Sequence, residues 1–150
     1  MLDLFKNLVF GAGMMGLTVA VHFLGLLLLT RLLRRSGPHF HAHDSLFGQG
    51  ALIVSVVLGL VGVHTVEIWL YATAFIAVGA LDGLEPALYF STTSFSSLGY
   101  GDIVLSPSWR LAGAIEGVNG LLLIAWSTAF LFSVTTRLRT LEHDWLERRD

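Results

Sequence analysis

The sequence predicts an all-α membrane protein with three spanning helices and one shorter helix that enters the membrane and turns back. Only 13% of its 150 residues are charged and 54% are hydrophobic, whereas a soluble domain is usually about 25% charged. Three stretches also reach the roughly 20 apolar residues that a helix needs to cross a bilayer core of about 30 Å. The net charge of −2 offers no basic surface for nucleic acid, and the absence of cysteine excludes disulfides and thiolate metal sites.

The three predicted spans differ in length and in what surrounds them. The first apolar run is too long for the core of a signal peptide, so we expect a retained spanning helix. The second run is longer than a bilayer core requires, so it is tilted or extends beyond the hydrocarbon. In chain order, the predicted spans are Leu8–Leu29, Gly50–Leu81 and Leu111–Thr136.

The positions of the arginines predict how these spans are oriented. Three arginines lie between residues 31 and 49 and four lie between residues 137 and 150, and basic residues favour the cytoplasmic side of a membrane. Both segments are therefore predicted to be cytoplasmic, which places the N-terminus outside. We expect a multi-pass protein of the plasma membrane, in which the second and third spans form a hairpin that points outward.

The segment between the second and third spans contains a shorter predicted helix. Glu85 and Pro86 are typical of a helix start, because proline is tolerated at the first helical position and glutamate suits the positive helix end. A helix from Pro86 to about Ser96 would be roughly 16 Å long at 1.5 Å per residue, about half of the bilayer core. Non-helical backbone at that depth is tolerated only inside protein or beside a wet cavity. The pattern therefore indicates a pore, although an extramembrane loop with a short helix would also fit it.

The residues that follow this helix are Ser97-Leu98-Gly99-Tyr100-Gly101. Glycines at alternate positions allow backbone dihedrals that are closed to residues with a Cβ. A strand with such kinks can aim successive carbonyls to the same side. Several copies around an axis would then make stacked rings of oxygen that replace the hydration shell of a bare cation. The negative end of the short helix dipole would favour a cation at the same place.

The segment Tyr89–Asp102 resembles the pore loop of the potassium channel family, in which a pore helix precedes Thr-Val-Gly-Tyr-Gly-Asp. The resemblance covers roughly Gly50–Arg137, and it implies a homotetramer in a lipid bilayer that conducts K⁺ passively, with no cofactor, no soluble partner and no enzymatic activity. The chain would be a small, prokaryotic-type member with one additional N-terminal helix. Its predicted domains are the first helix and basic loop (1–49), the pore module (50–137) and a short cytoplasmic tail (138–150).

The resemblance also implies a role for each filter residue. The carbonyls of Ser97, Leu98, Gly99 and Tyr100 would line the ion sites, and Gly101 would complete the filter. The hydroxyl of Ser97 would lie at the innermost ion site. The side chains of Leu98 and Tyr100 would point away from the ion and pack behind the filter.

Further residues are implied to support the filter or to move the pore. Asp102 would lie at the outer mouth and accept a hydrogen bond from Tyr89, which braces the filter against the pore helix. Phe90 and Thr93 lie on the same helix and are further candidates for filter support. Gly120 aligns with the hinge glycine of the family's inner helix.

Four positions depart from the family pattern. Ser97 replaces the usual threonine, Leu98 replaces valine or isoleucine, and Tyr89-Phe90 replaces two tryptophans that many members have. Phe90 offers no hydrogen bond to the Tyr100 hydroxyl, so the filter is expected to be less rigid. A weakly selective cation channel is therefore the alternative to a potassium channel.

Ionisable residues inside the predicted spans form a second set of candidates. His64 and Glu67 are three residues apart and share a helix face, and His22 lies near mid-depth in the first span. Because intramembrane ionisable groups indicate function and histidine titrates near neutral pH, the three predict a proton-sensing cluster that biases gating. A pair that only ties helices together is the alternative. Glu116 and Asn119 would either support the filter from behind or bond between helices.

Histidines also occur outside the spans. His39, His41 and His43 form a run in the first predicted cytoplasmic loop. Histidine is a good ligand for zinc or nickel, so this run predicts either a regulatory metal site or a solvated loop. A histidine-dependent metal- or pH-sensing membrane protein with a silent pore is thus a further functional alternative.

Overall fold

The computed structural model describes residues 1–36 and 46–147, and within them every regular element is an α-helix. Three of the four helices contain stretches of 33, 31 and 28 residues that are long and apolar enough to cross a membrane. The remaining helix has 12 residues, so it reaches about 18 Å at 1.5 Å per residue. The prediction of an all-α membrane protein with three spans and one half-length helix is confirmed. The helices are α1 (Leu2–Ser36), α2 (Leu46–Ala77), α3 (Leu84–Phe95) and α4 (Arg110–Glu147).

The second helix ends earlier than the apolar run predicted, at Ala77 rather than near Leu81. Gly79 has a φ of +67°, and its amide donates to the Ile76 carbonyl while the Ala80 amide donates to the Phe75 carbonyl. This pair of bonds is the Schellman motif, in which a left-handed glycine closes the helix and its last carbonyls are satisfied. The chain therefore turns at Gly79 although the residues beyond it are still apolar.

The short helix α3 lies directly against α4 because three glycines of α4 face it. A Cβ on Gly113 would lie 2.8 Å from the Phe90 ring, and a Cβ on Gly120 would overlap the backbone of Phe95. Gly117, between them, faces the carbonyl of Ser94. Because these glycines have no side chain, α3 and α4 can pack in close contact.

The first helix packs on the opposite side, against α2 and α4 but not against α3. Close approach again depends on glycine: Gly25 of α1 contacts Val63, and Gly59 of α2 contacts Leu29. Near its start, Phe10 stacks on Phe75 with ring centroids 5.6 Å apart. The additional N-terminal helix is therefore built into the bundle and is not a separate anchor.

Candidate functional site

We call the segment Ser97–Asp102 the filter segment. The sign of its backbone φ angle alternates along the chain. Ser97, Gly99 and Gly101 have φ values of +59°, +55° and +78°, while Leu98 and Tyr100 between them keep negative φ. In a regular strand successive peptide groups point to opposite sides, but alternation between left- and right-handed conformations turns successive amides to one side. Their carbonyls are then turned together to the other side.

The hydrogen bonds of the filter segment give the direction of these carbonyls. The amides of Leu98 and Gly99 both donate to the Thr93 carbonyl near the end of α3, at 2.9 and 3.0 Å. In a trans peptide the N–H and the preceding C=O point in opposite directions, and the described residues contain no cis peptide. The carbonyls of Ser97 and Leu98 therefore point away from α3, toward the side that no other part of this chain occupies.

Ser97 is the residue of this segment whose conformation the sequence did not predict. It is the single non-glycine with positive φ among the described residues, a conformation that costs a residue with a Cβ about 1–2 kcal/mol. Its hydroxyl lies 3.5 Å from the Gly117 carbonyl of α4, at the limit of a hydrogen bond. The strain is thus stored at the first residue of the alternating backbone.

A hydrogen bond between Tyr89 and Asp102 joins α3 to the end of the filter segment. The Tyr89 hydroxyl donates to Asp102 Oδ2 at 2.8 Å, which is the contact that the resemblance implied. This hydrogen bond holds the pKa of Asp102 below its usual range, because it favours the ionised carboxylate, and it raises the pKa of Tyr89. The end of the filter segment is in this way tied to the second turn of α3.

The other candidate support residues act at different places. Thr93 supports the filter segment through its carbonyl, while its hydroxyl bonds the Phe90 carbonyl within α3. Phe90 is buried against Phe75, with ring centroids 5.7 Å apart, so its side chain holds α3 to α2. Gly120 lies at the closest approach of α4 to the end of α3, which gives it a packing role besides the proposed hinge.

The side chains of the filter segment are exposed in the single chain. Leu98 is 56% and Tyr100 is 68% exposed, so neither packs behind the filter within its own subunit. Tyr100 and Leu98 follow the short helix and lie outside the three apolar spans. In an oligomer, neighbouring copies would have to cover them.

Behind the filter segment, three ionisable side chains from two helices meet; we call them the triad. His22 Nδ1 lies 2.9 Å from Glu67 Oε1, and His64 Nδ1 lies 2.8 Å from Glu67 Oε2. The structure thus brings together all three residues that the sequence singled out. A metal ion could in principle share these atoms, but each imidazole faces its own carboxylate oxygen at hydrogen-bond distance, so we assign hydrogen bonds.

The triad is continued by residues of α4 and α3 that the sequence gave no reason to select. Ser127 Oγ lies 2.9 Å from His64 Nε2, and the ring of Trp126 lies 5.1 Å from that of His22. On the other side, the His64 ring lies 5.6 Å from the ring of Phe95, the last residue of α3. The triad therefore contacts both the end of the short helix and the helix that follows the filter segment.

A second polar group lies between the triad and the end of the bundle at which α4 begins. Asn119 Nδ2 donates to Thr18 Oγ1 at 2.7 Å and to the Tyr71 hydroxyl at 3.0 Å, so Asn119 bonds between helices. Glu116 is fully buried near Ser91 of α3, and neither carboxylate oxygen has a hydrogen-bond partner that meets distance and angle criteria. Of the two predicted roles, Asn119 takes the inter-helix bond and Glu116 lies directly behind α3.

Asn7 is a further polar residue that sequence reasoning missed. Its Oδ1 accepts from the Ala112 amide at 2.9 Å, and its Nδ2 donates to the carbonyls of Ser108 and Asp3 at 2.7 and 2.6 Å. Ala112 is in the first turn of α4, where amides have no partner within the helix. A side chain of α1 therefore caps α4 across 105 residues of sequence, a separation that no local pattern reveals.

The histidine run of the predicted metal site, His39, His41 and His43, lies outside the described residues. A family model described as "Ion channel" matches residues 63–137, half of the chain. The match begins inside α2 and includes α3, the filter segment and the spanning part of α4. No curated protein and no solved structure matches the chain.

Proposed function

The chain belongs to the ion channel family, and from that premise we propose that it is the subunit of a homotetrameric potassium channel of the plasma membrane. Passive ion conduction through a membrane follows from the family, which is not an enzyme class. The potassium selectivity, the number of subunits and the orientation of the termini belong to the proposal. The permeant ion would be K⁺, with no cofactor.

The observation that carries the proposal is the alternating backbone of the filter segment. Two successive carbonyls, those of Ser97 and Leu98, point away from α3 because the Leu98 and Gly99 amides are bonded to it. Gly99 and Gly101 continue the alternation at positive φ. Carbonyl oxygens that point to one axis can replace the water around K⁺, which is the principle of potassium filters.

Exposure of the filter side chains supports assembly from several copies. One chain supplies one filter segment, and a closed ring of carbonyls needs the segment to be repeated around an axis. Leu98 and Tyr100 are more than half exposed, so neighbouring copies would cover them while the carbonyls face inward. Four copies is the number that the resemblance to potassium channels implies.

The end of α3 supplies a second contribution to cation binding. Its C-terminal residues, Thr93 to Phe95, precede the filter segment, and the C-terminal end of a helix carries about half a negative charge. In a symmetric assembly these ends would converge behind the innermost ion site. A cation that has lost part of its water would be stabilised there.

A weakly selective cation channel remains the second candidate, and one observation favours it. The side chain of Phe90 is buried against Phe75 of α2 and faces Gly113 of α4, and it has no polar atom that could bond to the filter segment. The filter is then held at its end mainly by the solvent-exposed bond between Tyr89 and Asp102. A filter with few supports would discriminate less between K⁺ and Na⁺.

The proposal is tested by ion flux from proteoliposomes that contain the purified full-length chain. We expect K⁺ flux at least tenfold above Na⁺ flux under matched gradients. Gly99→Ala should abolish this preference, because a Cβ at a φ of +55° forces the filter backbone to change. Gly62→Ala is the matched control, since no atom lies within 4 Å of the added Cβ. Equal K⁺ and Na⁺ flux through the wild type would favour the second candidate.

A further inference from the structure

We propose that Glu67, together with His22 and His64, binds one exchangeable proton, and that this proton reduces conduction through the pore. The inference on conduction rests on the proposed function, whereas proton binding itself does not. Each carboxylate oxygen of Glu67 faces a different imidazole, and one imidazole comes from α1 and the other from α2. The site is therefore complete within one chain.

The charge of the triad explains why it should hold a proton. If Glu67 is ionised and both imidazoles are neutral, the triad carries a net charge of −1. Glu67 and His22 are fully buried, and within the described residues the ion-pair partners of Glu67 are these two imidazoles. An uncompensated charge at this depth is costly. One added proton makes the triad neutral overall, whereas a second would leave it at +1.

Hydrogen-bond accounting shows where that proton can be held. A carboxylate only accepts, so both Nδ1 atoms carry hydrogen when Glu67 is ionised, and both Nε2 atoms are then acceptors. His64 Nε2 is paired with the Ser127 hydroxyl, which can donate to it or, after rotation, accept from it. His22 Nε2 is buried without a partner. His64 is therefore the imidazole that gains a proton without losing a hydrogen bond.

The surroundings of the triad permit the proton to enter and to be sensed. His64 is 18% exposed in the single chain, so its own subunit does not enclose the triad completely. The other titratable groups on this side are Tyr71 of α2, one turn from Glu67, and Glu116 of α4 beyond it. From α3 the facing residue is the apolar Phe95, and from α4 the facing residues are Ser127 and Trp126.

The position of His64 links the proton to the pore. Its ring lies against Phe95, the last residue of α3. The partial negative charge at this end of α3 would stabilise a cation at the innermost ion site of the proposed pore. A positive charge on His64 compensates that partial charge and competes with the permeant ion for it. Protonation also reverses the bond to Ser127 of α4. We therefore expect conduction to fall on acidification, when the triad binds its proton.

Proton binding can be measured without ion flux, through the fluorescence of Trp126. Trp126 contacts His22, with ring centroids 5.1 Å apart, and the His22 ring lies 5.4 Å from that of His64. A positive charge on His64 therefore lies one ring away from the indole and changes the electrostatic field that sets its emission. The fluorescence of the detergent-purified protein should therefore change on acidification, when the triad binds its proton. Trp126→Phe should remove that component and leave the signal of the other three tryptophans. A wild-type signal that does not differ from that of Trp126→Phe would overturn the proton site.

Ser127→Ala tests the role of the reversing hydroxyl. The variant leaves protonated His64 without an acceptor, so the midpoint of the titration should move to lower pH by about one unit, a tenfold loss of proton affinity. Ser55→Ala is the matched control, because the Ser55 hydroxyl bonds only the Ala51 carbonyl of its own helix. Glu67→Gln should remove the titration, and an unchanged midpoint in both Ser127→Ala and Glu67→Gln contradicts the proposal.

Flux from proteoliposomes at symmetric pH then separates this inference from the proposed function. We expect K⁺ flux to fall several-fold from pH 8 to pH 5.5 in the wild type and in Ser55→Ala, and to stay constant in Glu67→Gln. A fluorescence titration without any K⁺ flux would support the proton site and refute the proposed function. Selective flux that ignores pH would refute the coupling. The purified protein could instead contain one equivalent of a divalent metal, with fluorescence that responds to a chelator and not to pH. That result would overturn the proton site and show that the triad binds a metal ion.

Discussion

The filter segment and the polar residues behind it are built in opposite ways. Every residue from Ser97 to Asp102 is exposed in the single chain, whereas His22, Glu67 and Asn119 are fully buried. The filter segment presents backbone carbonyls to a space that this chain does not fill. The buried residues find their partners within the same chain. In the proposed assembly the first region therefore depends on other copies, whereas the triad lies within one chain.

Because the two regions are built differently, they are sensitive to different kinds of substitution. The filter segment depends on backbone dihedrals, so its function is sensitive to any Cβ at Gly99 or Gly101 and less sensitive to side-chain polarity. The buried region depends on hydrogen bonds between specific side chains, so it is sensitive to the loss of one partner. A Cβ in the filter segment should therefore affect assembly first, whereas the loss of a buried hydrogen-bond partner should affect folding first.

The largest effect is expected where the two regions meet, at Gly120. A Cβ there would overlap the Phe95 carbonyl at the end of α3, so Gly120→Ala forces α3 away from α4. Overpacking of this kind costs about 1–3 kcal/mol. We expect a lower midpoint of thermal unfolding in detergent and a loss of the oligomer in size-exclusion chromatography.

Gly62→Ala provides the comparison for that experiment, because the added methyl group meets no atom within 4 Å and alanine favours a helix. Its unfolding midpoint should equal or exceed that of the wild type. If Gly120→Ala is as stable as the wild type but opens less often in single-channel recordings, Gly120 acts as the hinge that the resemblance implied and its packing role is refuted.

A smaller effect is expected at the end of the bundle where Asn7 caps the start of α4. Asn7→Ala removes the acceptor for the Ala112 amide and the donor to the Ser108 carbonyl. Loss of a capping side chain costs about 1 kcal/mol, and the abandoned Ser108 carbonyl adds to this. The midpoint of thermal unfolding should fall, and the chain should remain folded.

Asn7→Asp distinguishes a cap from general packing at this position. The carboxylate keeps the acceptor for Ala112 and suits the positive end of a helix, but it no longer donates to Ser108. Its unfolding midpoint should therefore lie between those of the wild type and Asn7→Ala. Thr65→Ala serves as the control, since that hydroxyl bonds only its own helix. Equal midpoints for Asn7→Asp and Asn7→Ala would refute the capping role.

The two regions also differ in how far the sequence predicted them. The filter segment was readable because its signal is local: Gly99 and Gly101 alternate with larger residues directly after a short helix. The signal for the end of α2 was equally local, because Gly79 is a strong helix terminator. The long apolar run around this glycine concealed it. The positive φ of Ser97 was not readable, because serine has no intrinsic preference for it.

The buried contacts were predictable only in part. His64 and Glu67 share one helix, so their spacing indicated a pair, and His22 was placed with them by its depth in the first span. Ser127 and Asn7 gave no such signal. The bond from Asn119 to Thr18 joins residues 101 apart in sequence, and its geometry depends on how three helices pack. Such partners follow from tertiary packing, for which a single sequence contains no periodic pattern.

The smallest effect is expected within the exposed region, at the bond between Tyr89 and Asp102. Both side chains are open to solvent in the single chain, so the bond contributes little to stability. Its effect is on ionisation: the hydrogen bond favours the carboxylate and holds the pKa of Asp102 below its usual range. The contribution of the bond is complete above the ordinary pKa of aspartate and is lost as the pH falls through the lowered pKa.

Tyr89→Phe should therefore raise the pKa of Asp102 toward the ordinary value of aspartate and leave the unfolding midpoint nearly unchanged. The measurement is an NMR titration of labelled aspartate carboxyls in the detergent-solubilised protein, with Asp102→Asn to assign the signal. Tyr100→Phe removes a neighbouring hydroxyl that does not bond Asp102 and should leave the titration unaltered. If neighbouring copies bury this bond in the assembled protein, Tyr89→Phe will lower the unfolding midpoint as well. The filter segment would then resemble the buried region after assembly, and the contrast between the two regions would hold only for the isolated chain.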